Sequence, residues 1–188
     1  MPALQGFSLV GGTTLALRHG HRKSIDLDLF SHNAFNQAKI EKELTHEFRN
    51  QIVFEGGHQS WAIYCYIEDI KVDIIQYQHA PIEKIEHFEG LRLYSDKDIA
   101  AMKIQAVLGR GQKKDFYDLY ELLLHYSLQD IIDWHKRKYP NQMLGISIPN
   151  ALTYFPDAEE SETPVSLKGI GWEEVRSGIS QVVSDYLK

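Results

Sequence analysis

Residues 25–30 read IDLDLF, an alternation that matches a strand and no helix. Successive side chains of a strand point to opposite faces, so Ile25, Leu27 and Leu29 are expected to face a core. Asp26 and Asp28 then stand side by side on the other face, roughly 6.5–7 Å apart. Two carboxylates so placed repel each other, and a divalent cation with a taste for hard oxygen ligands, Mg²⁺ or Mn²⁺, removes that penalty. The plainer reading is two surface aspartates on a solvated strand face. A calcium-binding helical hand is excluded, because no D-x-D-x-D-G loop with a trailing glutamate is present.

The surrounding chain reads as an α+β domain. Residues 7–10 (FSLV) form a short apolar run stopped by Gly11-Gly12, a strand and a tight turn. Residues 13–18 suit a short helix. Asn33 or Ser31 would cap a helix running to about Phe48, with Ile40, Leu44 and Phe48 on one face. Residues 51–55, 60–67 and 70–77 are rich in β-branched and aromatic side chains and predict an antiparallel meander. Residues 91–94 suit one more short strand. From Ser95 the period becomes helical, with Ser95 and Asp98 in capping-box spacing. Helices are expected over 96–108, 113–125 and 128–138. Residues 140–170 hold four prolines and an acidic stretch, and predict an irregular, exposed connection. A terminal amphipathic helix follows, with Val175, Ile179, Val182 and Tyr186 on one face. We divide the chain into residues 1–95, carrying the sheet and the metal site, and residues 96–188, a mostly helical region completing a cleft.

Composition narrows the class. The chain has 188 residues, 43% hydrophobic and 24% charged, which is ordinary globular usage. No stretch approaches the roughly 18 apolar residues of a membrane span, and the first residues lack the layout of a secretory signal. One cysteine, Cys65, leaves no intrachain disulfide and makes a reducing, cytoplasmic setting the expectation. The net charge is −6, but residues 151–188 carry seven acids against three bases, so the rest is close to neutral. An acidic total argues against a dedicated duplex-DNA binder. Local basic clusters remain at Arg18, Arg22 and Lys23, at Lys113 and Lys114, and at residues 136–138. The histidines match no zinc spacing and receive no metal role. Trp61, Trp134 and Trp172 are expected in packing.

Four further features carry chemistry. Asp73 is a lone acid among Val72, Ile74 and Ile75, costly unless partnered, whether by the metal of Asp26 and Asp28 or by Lys71 on a wet face. Gly11-Gly12-Thr13-Thr14 is a glycine turn opening a helix, where backbone N–H groups approach a phosphate closely. Lys103 falls on the apolar face of its helix, either snorkelling to water or aimed at phosphates. In RGQKKDFYD (110–118), Asp115 borders the core face, while Lys114 and Asp118 are placed on the polar side at i,i+4, as a helix salt bridge or a cleft wall.

Residues 11–30, GGTTLALRHGHRKSIDLDLF, resemble the signature of the DNA polymerase β-like nucleotidyltransferase superfamily, with Asp73 fitting its third acid. The R-x-S-x-D-x-D-L-F form (Arg22, Ser24, Asp26, Asp28) and the later Lys103, Arg110, Lys114, Asp115, Asp118 pattern resemble more narrowly the AbiEii/AbiGii toxins of abortive-infection, type IV toxin–antitoxin systems. The resemblance covers roughly residues 7–125. It implies a minimal mixed sheet flanked by helices, an NTP as substrate, Mg²⁺ or Mn²⁺ as cofactor, tRNA as acceptor and a cognate antitoxin as partner. It implies Asp26, Asp28 and Asp73 as catalytic and metal residues, with Asp73 activating the attacking hydroxyl. It implies Gly11, Gly12, Thr13, Ser24, Lys103, Arg110, Lys114 and Asp115 as nucleotide-binding residues, with Asp118 competing for the place of Asp115. Two rival readings remain: a nucleotidyltransferase acting on a small molecule such as an antibiotic, and a non-catalytic nucleotide-binding module.

Overall fold

The apolar runs of the first hundred residues assemble into one seven-stranded mixed sheet, in the order β3-β4-β5-β2-β1-β7-β6. The computed structural model describes residues 1–188, the side chains of residues 57 and 58 excepted. β1 (Ser8–Val10) passes directly into α1 (Gly11–His19), and β2 (Leu27–Ser31) returns antiparallel beside it. α2 (Gln37–Phe48) then leads to β3 (Ile52–Gln59), β4 (Ala62–Ile67) and β5 (Ile70–Gln76), which form the expected meander. β5 lies parallel to β2, so the meander joins the first hairpin through the strand that carries Asp28. β6 (Glu86–Phe88) and β7 (Leu91–Leu93) make a small hairpin, with β7 parallel to β1. β6 had no signal in the sequence, since its three residues are exposed and carry no alternation.

The sheet separates two apolar clusters. α2 covers one face, where Ile40 and Leu44 meet Ile63, Cys65, Val72 and Ile74. Asn36 caps this helix, its side chain accepting from the Lys39 N–H at 2.9 Å. The other face takes Val10 and Leu15 together with α3 (Asp96–Gly109), α4 (Lys113–Leu123) and α5 (Leu128–Lys138). Ser95 caps α3 as its spacing predicts, accepting from the Asp98 N–H at 3.2 Å. Strand alternation puts Asp28, Phe30, Asp73 and Ile75 on this second face and Leu27, Leu29, Val72 and Ile74 on the first.

Several expectations are corrected. β2 starts at Leu27, and Ile25 is 66% exposed rather than part of the core. Residues 140–170 are not merely an exposed connection. They contain α6 (Ile148–Leu152) and α7 (Pro156–Glu159), and bury Ile148, Ala151, Leu152 and Ala158 in the helical core. α8 (Trp172–Tyr186) buries Val175, Ile179 and Val183, while Val182 is only partly covered and Tyr186 is exposed. Trp134 and Trp172 do pack, against Tyr126 and against Phe116 and Phe155, but Trp61 is 47% exposed. The basic cluster at 136–138 is broken up, because Lys138 is buried on Asp98 at 2.7 Å. No described helix is long and apolar enough to cross a membrane.

His135 on α5 is buried, with Nε2 3.1 Å from Gln105 Oε1. Burial pushes its pKa down from 6.5 to about 4. Between those values the unfolded chain takes up a proton that the native ring refuses, so stability falls as pH drops through that window and is unaffected by this group above it. Urea unfolding from pH 7 to pH 4 should therefore show a shallower loss of stability in His135→Gln than in the parent chain. Identical slopes would show that the ring is not held neutral.

Candidate active site

The corner between β1 and α1 explains why glycines are needed there. Gly11 has a φ of +72°, which L side chains rarely adopt, and a Cβ on it would stand 2.5 Å from Asp28 Oδ2. A Cβ on Gly12 would collide with the Arg22 guanidinium and sit 3.2 Å from Asp118 Oδ2. The two glycines thus let a carboxylate and a cation close against bare backbone. No side chain caps α1, so its first-turn N–H groups face the same corner without an internal acceptor of that kind.

Thr13 fastens the corner to the segment before β2. Its hydroxyl donates to the Asp26 carbonyl, and the Ser24 hydroxyl donates in turn to Thr13 Oγ1 at 2.9 Å. Both hydroxyls expected to hold phosphate are therefore spent inside the protein, positioning Asp26.

Asp28 and Asp73 are directly opposite each other on the parallel strands β2 and β5. Asp26 lies two residues earlier on the same run and lines the same cleft as Asp28. Burial, reinforced by the Asp73 charge, pushes the Asp28 carboxyl above its ordinary range. Lys71 satisfies Asp73 Oδ2 at 2.8 Å, whereas Asp73 Oδ1 is buried without a hydrogen-bond partner. A buried carboxylate oxygen left bare beside a second acid is costly and calls for a partner.

The cleft wall is a buried ion network. Lys103 Nζ bridges Asp115 Oδ1 at 2.9 Å and Asp118 Oδ2 at 2.7 Å. Arg22 grips Asp118 with two bonds, Nε to Oδ1 at 2.7 Å and Nη2 to Oδ2 at 2.8 Å. His21 Nε2 lies 2.7 Å from Asp118 Oδ1, and Arg110 Nε lies 3.2 Å from Asp115 Oδ2. Burial works against the charge of Asp118, but Lys103, His21 and Arg22 outweigh it and hold the carboxyl far below its usual range. Asp115 is lowered in the same way by Lys103 and Arg110 against its burial. Asp118 is thus not on the polar side of α4, and it makes no helix pair with Lys114. Both aspartates are fully buried, one turn of α4 supplying both. Three cations against two carboxylates leave the wall positive.

The resulting cleft, about 210 Å³, brings together Gly12, Ser24, Asp26, Asp28, Lys103, Arg110 and Lys114 of the expected set, with Arg22 and Lys23 beside them. Arg18 does not join them, being held by Asp96 at 2.6 Å and Glu86 at 2.7 Å. Glu162, Thr163 and Pro164 close the rim, carried there by a bridge between Arg22 and Ser166. Glu162 belongs to the acidic stretch of residues 157–162, which would favour a polycationic small-molecule acceptor by folding over the cleft, whereas Thr163 and Pro164 carry no signal in the sequence. A larger cavity of about 1030 Å³ extends along the same sheet face past Phe30 and Ile75, lined also by Trp61, Tyr77, Gln105 and Tyr139.

A glycine corner, paired acids on adjacent parallel strands and a mixed sheet backed by helices define the nucleotidyltransferase fold. The chain belongs to the family described as the nucleotidyl transferase AbiEii toxin of type IV toxin–antitoxin systems, whose model matches residues 2–142. It is 33% identical over 188 residues to the uncharacterized protein aq_aa25 of Aquifex aeolicus, covering 97% of this chain and 88% of that protein. Its fold is similar to a crystal structure from Helicobacter pylori described as a nucleotidyltransferase (TM-score 0.59, 19% identity, 97% of this chain and 89% of that one). It is similar as well to MenT4, the nucleotidyltransferase toxin Rv2826c of Mycobacterium tuberculosis (TM-score 0.59, 13% identity, 95% and 75% covered).

Removing one partner of a buried ion network strands the others without compensation. Asp118→Asn should lower the unfolding free energy by about 3–5 kcal/mol, read from urea denaturation. A loss below about 1 kcal/mol, the range of an exposed pair, would mean the network contributes as a surface bridge does.

Proposed function

We propose that this chain transfers a nucleotide from an NTP to an acceptor hydroxyl, with Mg²⁺ or Mn²⁺ held by Asp26, Asp28 and Asp73. The observation that carries the reading is the in-register placement of Asp28 and Asp73 on neighbouring strands, with one Asp73 oxygen bare. Three carboxylates are hard oxygen donors, and their mutual repulsion makes them a fitting cradle for a divalent cation. When bound, that ion supplies Lewis-acid neutralisation of the polyphosphate.

The chain's own residues do the rest. Backbone N–H groups of Gly12 and Thr13 at the start of α1 receive phosphate oxygens. Arg110 and Lys114 balance the polyphosphate charge from α3's end and the first turn of α4. Lys103 contributes through the wall it braces between Asp115 and Asp118. Asp73 Oδ1 takes the proton of the acceptor hydroxyl as its oxygen bonds to the α-phosphorus and pyrophosphate leaves.

The cavity beyond Phe30 and Ile75 favours an RNA end over an antibiotic as acceptor. Its lining offers the exposed Trp61 and the partly exposed Tyr77, together with amides, and contains no carboxylate to attract a polycationic drug. Aromatic platforms of this kind stack nucleobases. As a member of a toxin family of type IV systems, the chain is read as acting on tRNA under the control of a cognate antitoxin.

Incubation with each labelled NTP and Mg²⁺, with total RNA or with aminoglycosides, tests this. RNA should be labelled, and Asp28→Asn should reduce labelling on the order of 10²–10³-fold. Because Asn relieves the repulsion from Asp73, the metal-free variant should melt above the metal-free parent. Mg²⁺ should raise the melting temperature of the parent but not of the variant. Full labelling by Asp28→Asn would rule the assignment out.

A further inference from the structure

Behind the cleft wall, three side chains with metal-ligating atoms converge that the transfer reaction does not use. Glu121 is in the last turn of α4, His125 follows two residues after the helix ends, and His19 is the last residue of α1. One ligand atom from each lies within 4.8 Å of the other two. His125 Nε2 is 3.2 Å and His19 Nδ1 is 3.9 Å from the same Glu121 oxygen. We propose that His19, Glu121 and His125 form a transition-metal site separate from the three aspartates, fitted to Zn²⁺.

The outer shell is already built. His19 Nε2 donates to Asp96 Oδ2 at 2.9 Å, which leaves Nδ1 as the ring nitrogen that faces Glu121. Asp96 is itself fixed by Arg18 at 2.6 Å and by the Tyr126 hydroxyl at 3.3 Å. A carboxylate orienting the distal nitrogen of a ligating histidine is the usual support of a zinc imidazole. The His125 ring lies stacked on that of His19, centroids 4.9 Å apart, so a small rotation of a half-exposed side chain brings its nitrogen in. The three atoms need only close to the about 3.3 Å spacing that tetrahedral Zn²⁺ imposes. Two imidazoles with one carboxylate suit Zn²⁺ rather than Mg²⁺, and solvent completes the fourth position.

A cation already marks the place. Lys168 Nζ lies 2.7 Å from Glu121 Oε1 on a 41% exposed side chain, free to swing into water. Lys168 and the metal compete for one carboxylate, so deleting the ammonium strengthens metal binding. Glu121 follows Asp118 by one turn and His19 precedes Arg22 by three residues. An ion here therefore ties together the two segments that make the Arg22–Asp118 bond.

The test is calorimetric titration of ZnCl₂ into the tag-free, metal-stripped chain in excess Mg²⁺, with a Co²⁺ absorption spectrum as the coordination readout. One Zn²⁺ should bind per chain, and Co²⁺ should show the intense visible bands of low coordination. His125→Ala should weaken binding by more than about tenfold. Lys168→Met should tighten it, and Asp28→Asn should leave it unchanged. Absence of a saturable one-to-one event, its persistence in His125→Ala, or its loss in Asp28→Asn would overturn the proposal.

Discussion

Two carboxylates held opposite each other on neighbouring parallel strands are the constraint around which the rest of this molecule is arranged. Asp28 and Asp73 repel, and burial on the helical face of the sheet makes the repulsion stronger by removing water. A fold accepts such a pair only where something else holds the strands. Here the opposite face does so, with Leu27, Leu29, Val72 and Ile74 packed toward α2. The glycine at 11 brings backbone against Asp28 where any other residue would collide.

The ion network supplies the complementary charge without filling the cleft. Lys103 and Arg22 rise from different segments and converge on two aspartates of one helical turn. Each cation is desolvated, but each is met at hydrogen-bond distance, which is what keeps a buried charge tolerable. Arg22 also links the wall to the glycine corner, because its guanidinium occupies the space that a side chain at 12 would need. The corner, the acids and the wall therefore stand or fall together.

Much of this was legible in the residues, for definable reasons. Alternation in IDLDLF pointed to a strand carrying Asp28, though the strand begins at Leu27 and leaves Asp26 just ahead of it, and the lone acid in an apolar strand singled out Asp73, which stands in register with Asp28. The helical period from Ser95 located α3, α4 and α5 closely. What stayed hidden depends on long-range return of the chain. Asp118 looked like the partner of Lys114 one turn away, because helical spacing records neighbours on a helix and says nothing of Arg22, 96 residues earlier. Residues 140–170 looked exposed by their prolines and acids, yet the apolar residues between those markers, Ile148, Ala151 and Leu152, were enough to bury short helices. His19 and Glu121 are 102 positions apart, so no motif spacing joins them. Thr13 and Ser24, expected to hold phosphate, bond to each other and to the Asp26 backbone, contacts spanning 11 and 13 positions that local spacing does not announce.

The most direct test is residue-resolved carboxyl NMR titration of Asp28 in the metal-free chain, repeated with Mg²⁺. Asp28 should titrate above its ordinary 3.8 without the ion and drop markedly when Mg²⁺ is added, as the cation offsets Asp73. A carboxyl that titrates at or below 3.8, unmoved by Mg²⁺, would contradict the paired-acid cradle.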